Sequence, residues 1–166
     1  MIRQEEPGDE HDIHLVHERA FGGSSEASIV DALRGSDGAV SLVAIVEDRV
    51  VGHILFTPVQ IDDAAPHAPA AGLAPLAVLP EHQRHGIGSA LVRAGLDGCR
   101  ARGCGFVVVL GHPEYYPRFG FVQASTAGLA CEYPVPDEAF MVLELQAGAL
   151  GAARGVVRYR PEFSQE

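Results

Sequence analysis

The stretch that decides the fold is Leu76-Ala77-Val78-Leu79-Pro80 followed, two residues on, by Gln83-Arg84-His85-Gly86-Ile87-Gly88-Ser89. An apolar run short enough for a buried strand gives way to a polar loop with two glycines, and that loop to residues at helical spacing. The strand reads back to Gly72 and on to Leu79. The helix reads from about Gly88 to Arg102, with Ile87, Leu91, Ala94 and Cys99 on one face and Arg93, Asp97, Arg100 and Arg102 on the other. Gly103 is placed to end it. Phe106 to Leu110 is then a second strand, so the segment is a β-loop-α-β unit. Gly95 and Gly98 each weaken the helix by about 1 kcal/mol relative to alanine, so tertiary packing has to hold it.

Glycines at 86 and 88 have a chemical use. Without Cβ atoms they let backbone N–H groups close around an anion, and the helix start adds its partial positive charge. A diphosphate fits such a nest, although the same spacing also serves turns that are purely structural. Position 91 is leucine, so the dinucleotide pattern GxGxxG fails, and no GK[ST] follows for a P-loop.

Working outward, Met1 to about Gln4 reads as a short strand, followed by a helix with Ile13, Val16, Ala20 and Phe21 at helical spacing. Ser24 or Ser25 caps a second helix, where Ile29, Val30 and Leu33 form a stripe that stops at Gly35. Ser41–Val46 and Val50–Val59 are rich in β-branched residues, and Glu47-Asp48-Arg49 between them makes a hairpin. Ile61 to Ala71, with two aspartates, two prolines and five alanines, has loop composition. Beyond the β-loop-α-β unit, GHPEYYPRFGF (111–121) suits one helical turn and a return into a strand. Ala139 to Leu145 is a strand, and Gly155 to Tyr159 adds a short edge strand. This order describes one α/β domain with a mixed, mostly antiparallel sheet flanked by helices.

Composition narrows the chemistry. The chain has 166 residues, 22 acids against 12 bases, and a formal net charge of -10. All the bases are arginine; no lysine is present, which removes Schiff-base, P-loop-lysine and lysine-general-base enzymes together. No basic stripe exists for nucleic acid, and no apolar run approaches the roughly 18 residues of a membrane span. The acidic start carries no export signal, so a cytoplasmic location is expected. Three cysteines without a CxxC pair (Cys99, Cys104, Cys131) read as small core residues, Cys131 in a loop. His11, His14 and His17 recur every third residue on a helix and read as a solvated face rather than a metal site, and His82 and His85 as surface residues; no metal is expected.

Gln83, Gly86 and Gly88 satisfy the pattern [QR]xxGx[GA], the strand 76–80 precedes them, and Tyr116-Pro117-Arg118-Phe119-Gly120-Phe121 supplies a Y-x-x-x-G-F segment in the same order. With these motifs the chain resembles the GNAT superfamily of N-acetyltransferases over about 1–145, and looks closest to small bacterial members with a YYPRFGF signature. The resemblance implies one N-acetyltransferase domain over 1–166, with a core at 1–145 and a C-terminal extension at 146–166. It implies acetyl-CoA as acyl donor and direct transfer in a ternary complex to an amine, on a small molecule or a peptide.

It also implies residue roles. The backbone of Leu76, Ala77 and Val78 pairs with the pantetheine arm, with an N–H near Leu76 polarising the thioester carbonyl. Arg84, His85, Gly86, Ile87, Gly88 and Ser89 cradle the diphosphate, and the side chains of Gln83 and Arg84 are candidates to add contacts. Tyr116 is the general acid: a phenol with an ordinary pKa of about 10 is protonated at neutral pH and can donate to the departing thiolate. Phe119 and Phe121 read as core. Gly72 to Pro75, where some relatives carry a base, holds no ionisable group, which leaves His112, Glu114 or a water chain. Gly111 stands where many relatives have asparagine. A non-catalytic acyl-CoA-binding or sensory module is the alternative. The tail is expected to pack through Val156, Val157 and Tyr159, shaping either the acceptor side or a homodimer contact.

Overall fold

A computed structural model describes residues 1–62, 67–151 and 153–164. Of the loop expected at 61–71, residues 63–66 lie outside the described residues, while Ile61 ends one strand and Ala70 and Ala71 begin the next, so the strand expected from Gly72 starts two residues earlier. The elements in chain order are β1 (Ile2–Gln4), α1 (Glu10–Phe21), α2 (Ser25–Leu33), β2 (Val40–Val46), β3 (Arg49–Ile61), β4 (Ala70–Val78), α3 (Ile87–Ala101), β5 (Phe106–Leu110), β6 (Val122–Gln123), β7 (Leu129–Cys131), β8 (Phe140–Glu144) and β9 (Gly155–Arg158). Single turns of 3-10 helix lie between several of them. The architecture is the expected α/β fold with a mixed, mostly antiparallel sheet flanked by helices.

The chain forms two compact units, one of 1–56, 74–97 and 161–166, the other of 57–73 and 98–160. In the first, the strands run in the order β1-β2-β3-β4, with β1/β2 and β2/β3 antiparallel. Glu47 and Asp48 at the β2–β3 turn both have positive φ (51° and 61°), the geometry whose twist matches that of the flanking strands. Gly52 and His53 are neighbours on β3 and so face opposite sides of the sheet. A Cβ on Gly52 would stand 3.1 Å from Leu91 and 3.3 Å from Ile87 of α3, whereas His53 bonds to His17 of α1. Helices thus cover both faces of β3.

Gly95 shows how α3 is held. A Cβ there would lie 2.1 Å from Cε1 of Phe56, so the missing side chain is the space into which the fully buried ring fits. The exposed face is as expected, with Arg93, Asp97, Arg100 and Arg102 outward, while the buried stripe is wider and runs through Leu91, Val92, Leu96 and Cys99.

In the second unit β4 pairs in parallel with β5, as a helical crossover requires, and β5 lies antiparallel to β8, which also pairs with β6. β9 differs from its expectation as an edge strand. It is bonded on both sides, antiparallel to the end of β3 and parallel to β7. Val157 and Tyr159 are buried, and the Tyr159 ring covers Gly72, where a Cβ would approach to 2.6 Å. β7 was not foreseen, and it takes Cys131 out of the loop expected for it and puts it on a strand. Cys99 and Cys104 are buried thiols, as composition suggests.

Candidate active site

The donor-side motif is built wholly within the first unit. The β4–β5 ladder covers Ala70 to Leu73, so the backbone groups of residues 74–78 on that edge are not used by it. Ala77 and Val78 are buried and Leu76 is half-buried. Gln83 turns back onto this strand, its Nε2 donating to Val78 O at 3.0 Å, and so ties the loop to the strand end.

One 3-10 turn over Pro80–His82 leads into the loop. Arg84 and Gly86 both adopt positive φ, 67° and 81°, a backbone of the kind from which anion-binding nests are built. Ala90 N–H donates to Gly86 O at 3.0 Å as the first helical bond. The N–H groups of Ile87 and Gly88 precede it and have no carbonyl four residues back within the helix. A Cβ on Gly86 would meet nothing within 4 Å, and Gln83, Arg84 and His85 are exposed, so the approach is open. Glu81, two residues before the loop, is paired with both terminal nitrogens of Arg19 at 2.9 and 3.0 Å. Its own backbone N–H, and then Arg19, hold its carboxyl below the usual range. The loop residues fit a diphosphate: open space at Gly86, the free helix-start N–H groups of Ile87 and Gly88, and an arginine on the neighbouring carboxylate.

Tyr116 lies in the second unit. The His112 carbonyl accepts from the N–H groups of Tyr115 (3.1 Å) and Tyr116 (3.4 Å), starting the turn Tyr116–Phe119, which Gly120 ends at φ 103°. Tyr116 is buried, with Tyr115 edge-on at 5.0 Å and Phe121 at 5.7 Å between centroids. Burial, and secondarily Tyr115, pushes its phenol up to about 12. Gly111 is explained by the same ring: a Cβ there would lie 2.4 Å from Tyr116 Cε2. The ring therefore fills the space that any side chain at 111 would enter. Tyr115 is half-buried under Arg118, whose guanidinium is 4.5 Å from its ring centre, and Phe119 is half-buried rather than core.

Residues 10–121 match the acetyltransferase (GNAT) family. The chain belongs to that family. It is 44% identical over 138 residues to YjhQ of Escherichia coli K12, an uncharacterized N-acetyltransferase, covering 78% of this chain and 74% of the relative. It is 35% identical to YhbS of the same strain, an uncharacterized N-acetyltransferase, over 99% of both chains. The crystal structure of E. coli YhbS in complex with CoA superposes with a TM-score of 0.91, at 36% identity over 99% of this chain and 92% of that one. A GNAT acetyltransferase from Brucella melitensis in complex with acetyl-CoA gives 0.80, at 36% identity over 98% of this chain and 97% of that one. As a GNAT-family protein the chain is an acetyl-CoA-dependent N-acyltransferase.

Two features of this GNAT protein were hidden in the sequence. His17 does not lie on a solvated face; it is fully buried against β3, because the apolar side of α1 runs through Ile13, Val16 and His17 while Phe21 is exposed. His17 Nε2 lies 2.8 Å from His53 Nδ1, His53 Nε2 lies 2.8 Å from Ser41 Oγ, and that hydroxyl donates to Glu5. Arg34 then joins Glu5 to Asp31. The only sequence signal for this chain was an apolar position filled by histidine on each element. Among the described residues no group of histidines, cysteines and acids could hold a metal, and no helix is long and apolar enough to cross a membrane.

Proposed function

We propose that the protein transfers the acetyl group of acetyl-CoA directly to an amine, with Tyr116 as general acid and residues 1–166 acting as one catalytic domain. The observation that carries this reading is the buried Tyr116 phenol over Gly111, protonated throughout the physiological range. Acetyl-CoA supplies the acyl group as a thioester whose sulfur leaves when nitrogen takes the carbon. The main chain of Leu76, Ala77 and Val78 orients the pantetheine arm, and an N–H at Leu76 draws charge from the carbonyl. The main chain from Arg84 to Ser89 holds the diphosphate, with Gln83 bracing the loop. Tyr116 keeps a proton at Oη and delivers it to the leaving sulfur, so no free thiolate accumulates. The amine's own proton passes to water, since Gly72 to Pro75 carry no base and the side chains of His112 and Glu114 face solvent. The YYPRFGF-bearing members are the subgroup to which we assign the chain, with a cytoplasmic location.

Gly86→Glu tests the donor site. The substitution puts a carboxylate into the open volume of the nest and strains a positive φ. Calorimetry is expected to show acetyl-CoA affinity falling at least tenfold while the protein stays folded. Unchanged affinity would refute the assignment. Thiol release from acetyl-CoA with any amine separates the enzyme from a module that binds acyl-CoA without turnover.

A further inference from the structure

A hollow of about 240 Å³ lies in the second unit, walled by β7, the 3-10 turn Ala124–Ala127, the segment around Tyr133 and the start of β8. Leu129, Cys131, Val135 and Phe140 give it an apolar body, and Tyr133 and Asp137 are among its remaining walls. We infer that this hollow is the acceptor pocket, taking a primary amine on a compact hydrocarbon arm, alkyl or aryl-alkyl, rather than a polycation. The inference rests on the acetyltransferase reading above and deepens it.

Three observations carry it. The first is position relative to the acid. Gly111, over which the Tyr116 ring lies, donates its N–H to Ala139 O at 2.9 Å. Ala139 stands between Asp137 and Phe140, and Leu110 is the register partner of Phe140 on β8. The hollow therefore begins at the end of β5, one backbone hydrogen bond from the glycine that the Tyr116 ring covers. Tyr159 stands behind the same wall, its ring 6.1 Å from Tyr133.

The second is charge. Glu132, next to this wall, is met by Arg158 at 3.7 Å, which also pairs with Asp62. Asp137 instead accepts from the neutral Ser125 hydroxyl at 2.9 Å, a bond that fixes one carboxylate oxygen without cancelling the charge. Asp137 is exposed while Leu129 and Phe140 are buried, so the charge lies at the mouth and the hydrocarbon at the floor. An ammonium drawn to that mouth can seat its arm on the floor.

The third is size. At water's share of about 30 Å³ per heavy atom the hollow holds about eight such atoms, the arm of 2-phenylethylamine or hexylamine and too little for an aminoglycoside. The pairing of β9 with β7 then gives the C-terminal extension a purpose, because it backs the wall formed by Leu129 to Cys131.

The test measures thiol release from acetyl-CoA with 2-phenylethylamine, hexylamine, ethylamine and spermidine, and calorimetric binding of 2-phenylethylamine to the CoA-loaded protein. Phenylethylamine is expected to exceed spermidine at least tenfold in kcat/KM. Asp137→Asn is expected to raise its KM about tenfold with kcat and acetyl-CoA affinity unchanged. Val135→Phe, which shortens the hollow, is expected to shift preference toward ethylamine, an effect that a merely structural role would not produce. If acetyl-CoA binds and spermidine turns over while phenylethylamine neither binds nor reacts, the pocket assignment is overturned and the enzymatic reading stands. If acetyl-CoA itself fails to bind, the enzymatic reading falls, and with it this one.

Discussion

His17 Nε2 and His53 Nδ1 lie 2.8 Å apart in the core, and the bonds around them admit one arrangement of protons. Ser41 donates to the Glu5 carboxylate, so its oxygen accepts from His53 Nε2–H. His53 Nδ1 then carries a lone pair and accepts from His17 Nε2–H. Both rings are neutral in this arrangement, and His17 Nδ1 is left buried without a protein partner. Burial is the main cause holding His17 down to about 4, opposed by Asp31 and helped by His14. Burial, then His17 and Arg34, holds His53 well below its ordinary value, with Asp9 opposing.

Stability should therefore fall on mild acidification. Below about pH 6.5 the unfolded histidines take up protons while the folded ones do not, so the unfolded state gains by about 1.4 kcal/mol per pH unit for each, a gain that for His17 ends at about pH 4. Above 6.5 both states hold neutral rings and this contribution is constant. Urea midpoints at pH 7, 6 and 5 check it: a midpoint flat across that interval would show that the pair is not held neutral.

Gly95→Ala is expected to destabilise the protein by about 1–2 kcal/mol, although alanine is the better helix former by about 1 kcal/mol. The added carbon would collide with the Phe56 ring at 2.1 Å. Adding Phe56→Leu to Gly95→Ala should recover part of the loss. Thermal denaturation of the two single variants and the double decides this, and a Gly95→Ala protein more stable than the parent would contradict the packing argument.

Tyr116→Phe keeps the ring over Gly111 and removes the proton donor. The expected loss in kcat is about 10²- to 10⁴-fold with acetyl-CoA affinity nearly constant, once chemistry limits turnover. Tyr115→Phe should change kcat little. Because burial raises the Tyr116 phenol to about 12, its protonated form persists through pH 10, and no fall in rate from this group should be seen below that. Near-parental kcat for Tyr116→Phe under chemistry-limited conditions would return the residue to a packing role.

Gly111→Asn puts a side chain where the Tyr116 ring lies. Here it is expected to lower kcat at least tenfold by displacing the Tyr116 ring, whose Cε2 would lie 2.4 Å from the new Cβ. Steady-state kinetics together with tyrosine fluorescence report both effects. Unaltered kinetics would mean that the ring has room to move.

Local pattern alone was enough for the α/β class, the three helices and the stretch from β4 through β5. These depend on periodicity, on glycine placement and on the β-branched hairpin, all of which act within about 15 residues of one another. The glycine loop before α3 was legible for the same reason, since its conformation is set by consecutive residues. Tertiary structure decided the rest. Only the packing of α1 against β3 turns His17 from a surface residue into half of a buried pair, and only the closeness of Phe56 to Gly95 and of Tyr116 to Gly111 explains why those positions lack side chains. β7 is three residues long and exists through its pairing with β9, about 26 residues further along, so no local signal marks it or the hollow it walls. Contacts between residues distant in the chain are set by the burial of whole surfaces, and a linear pattern records which side chains are available for burial but not which of them will meet.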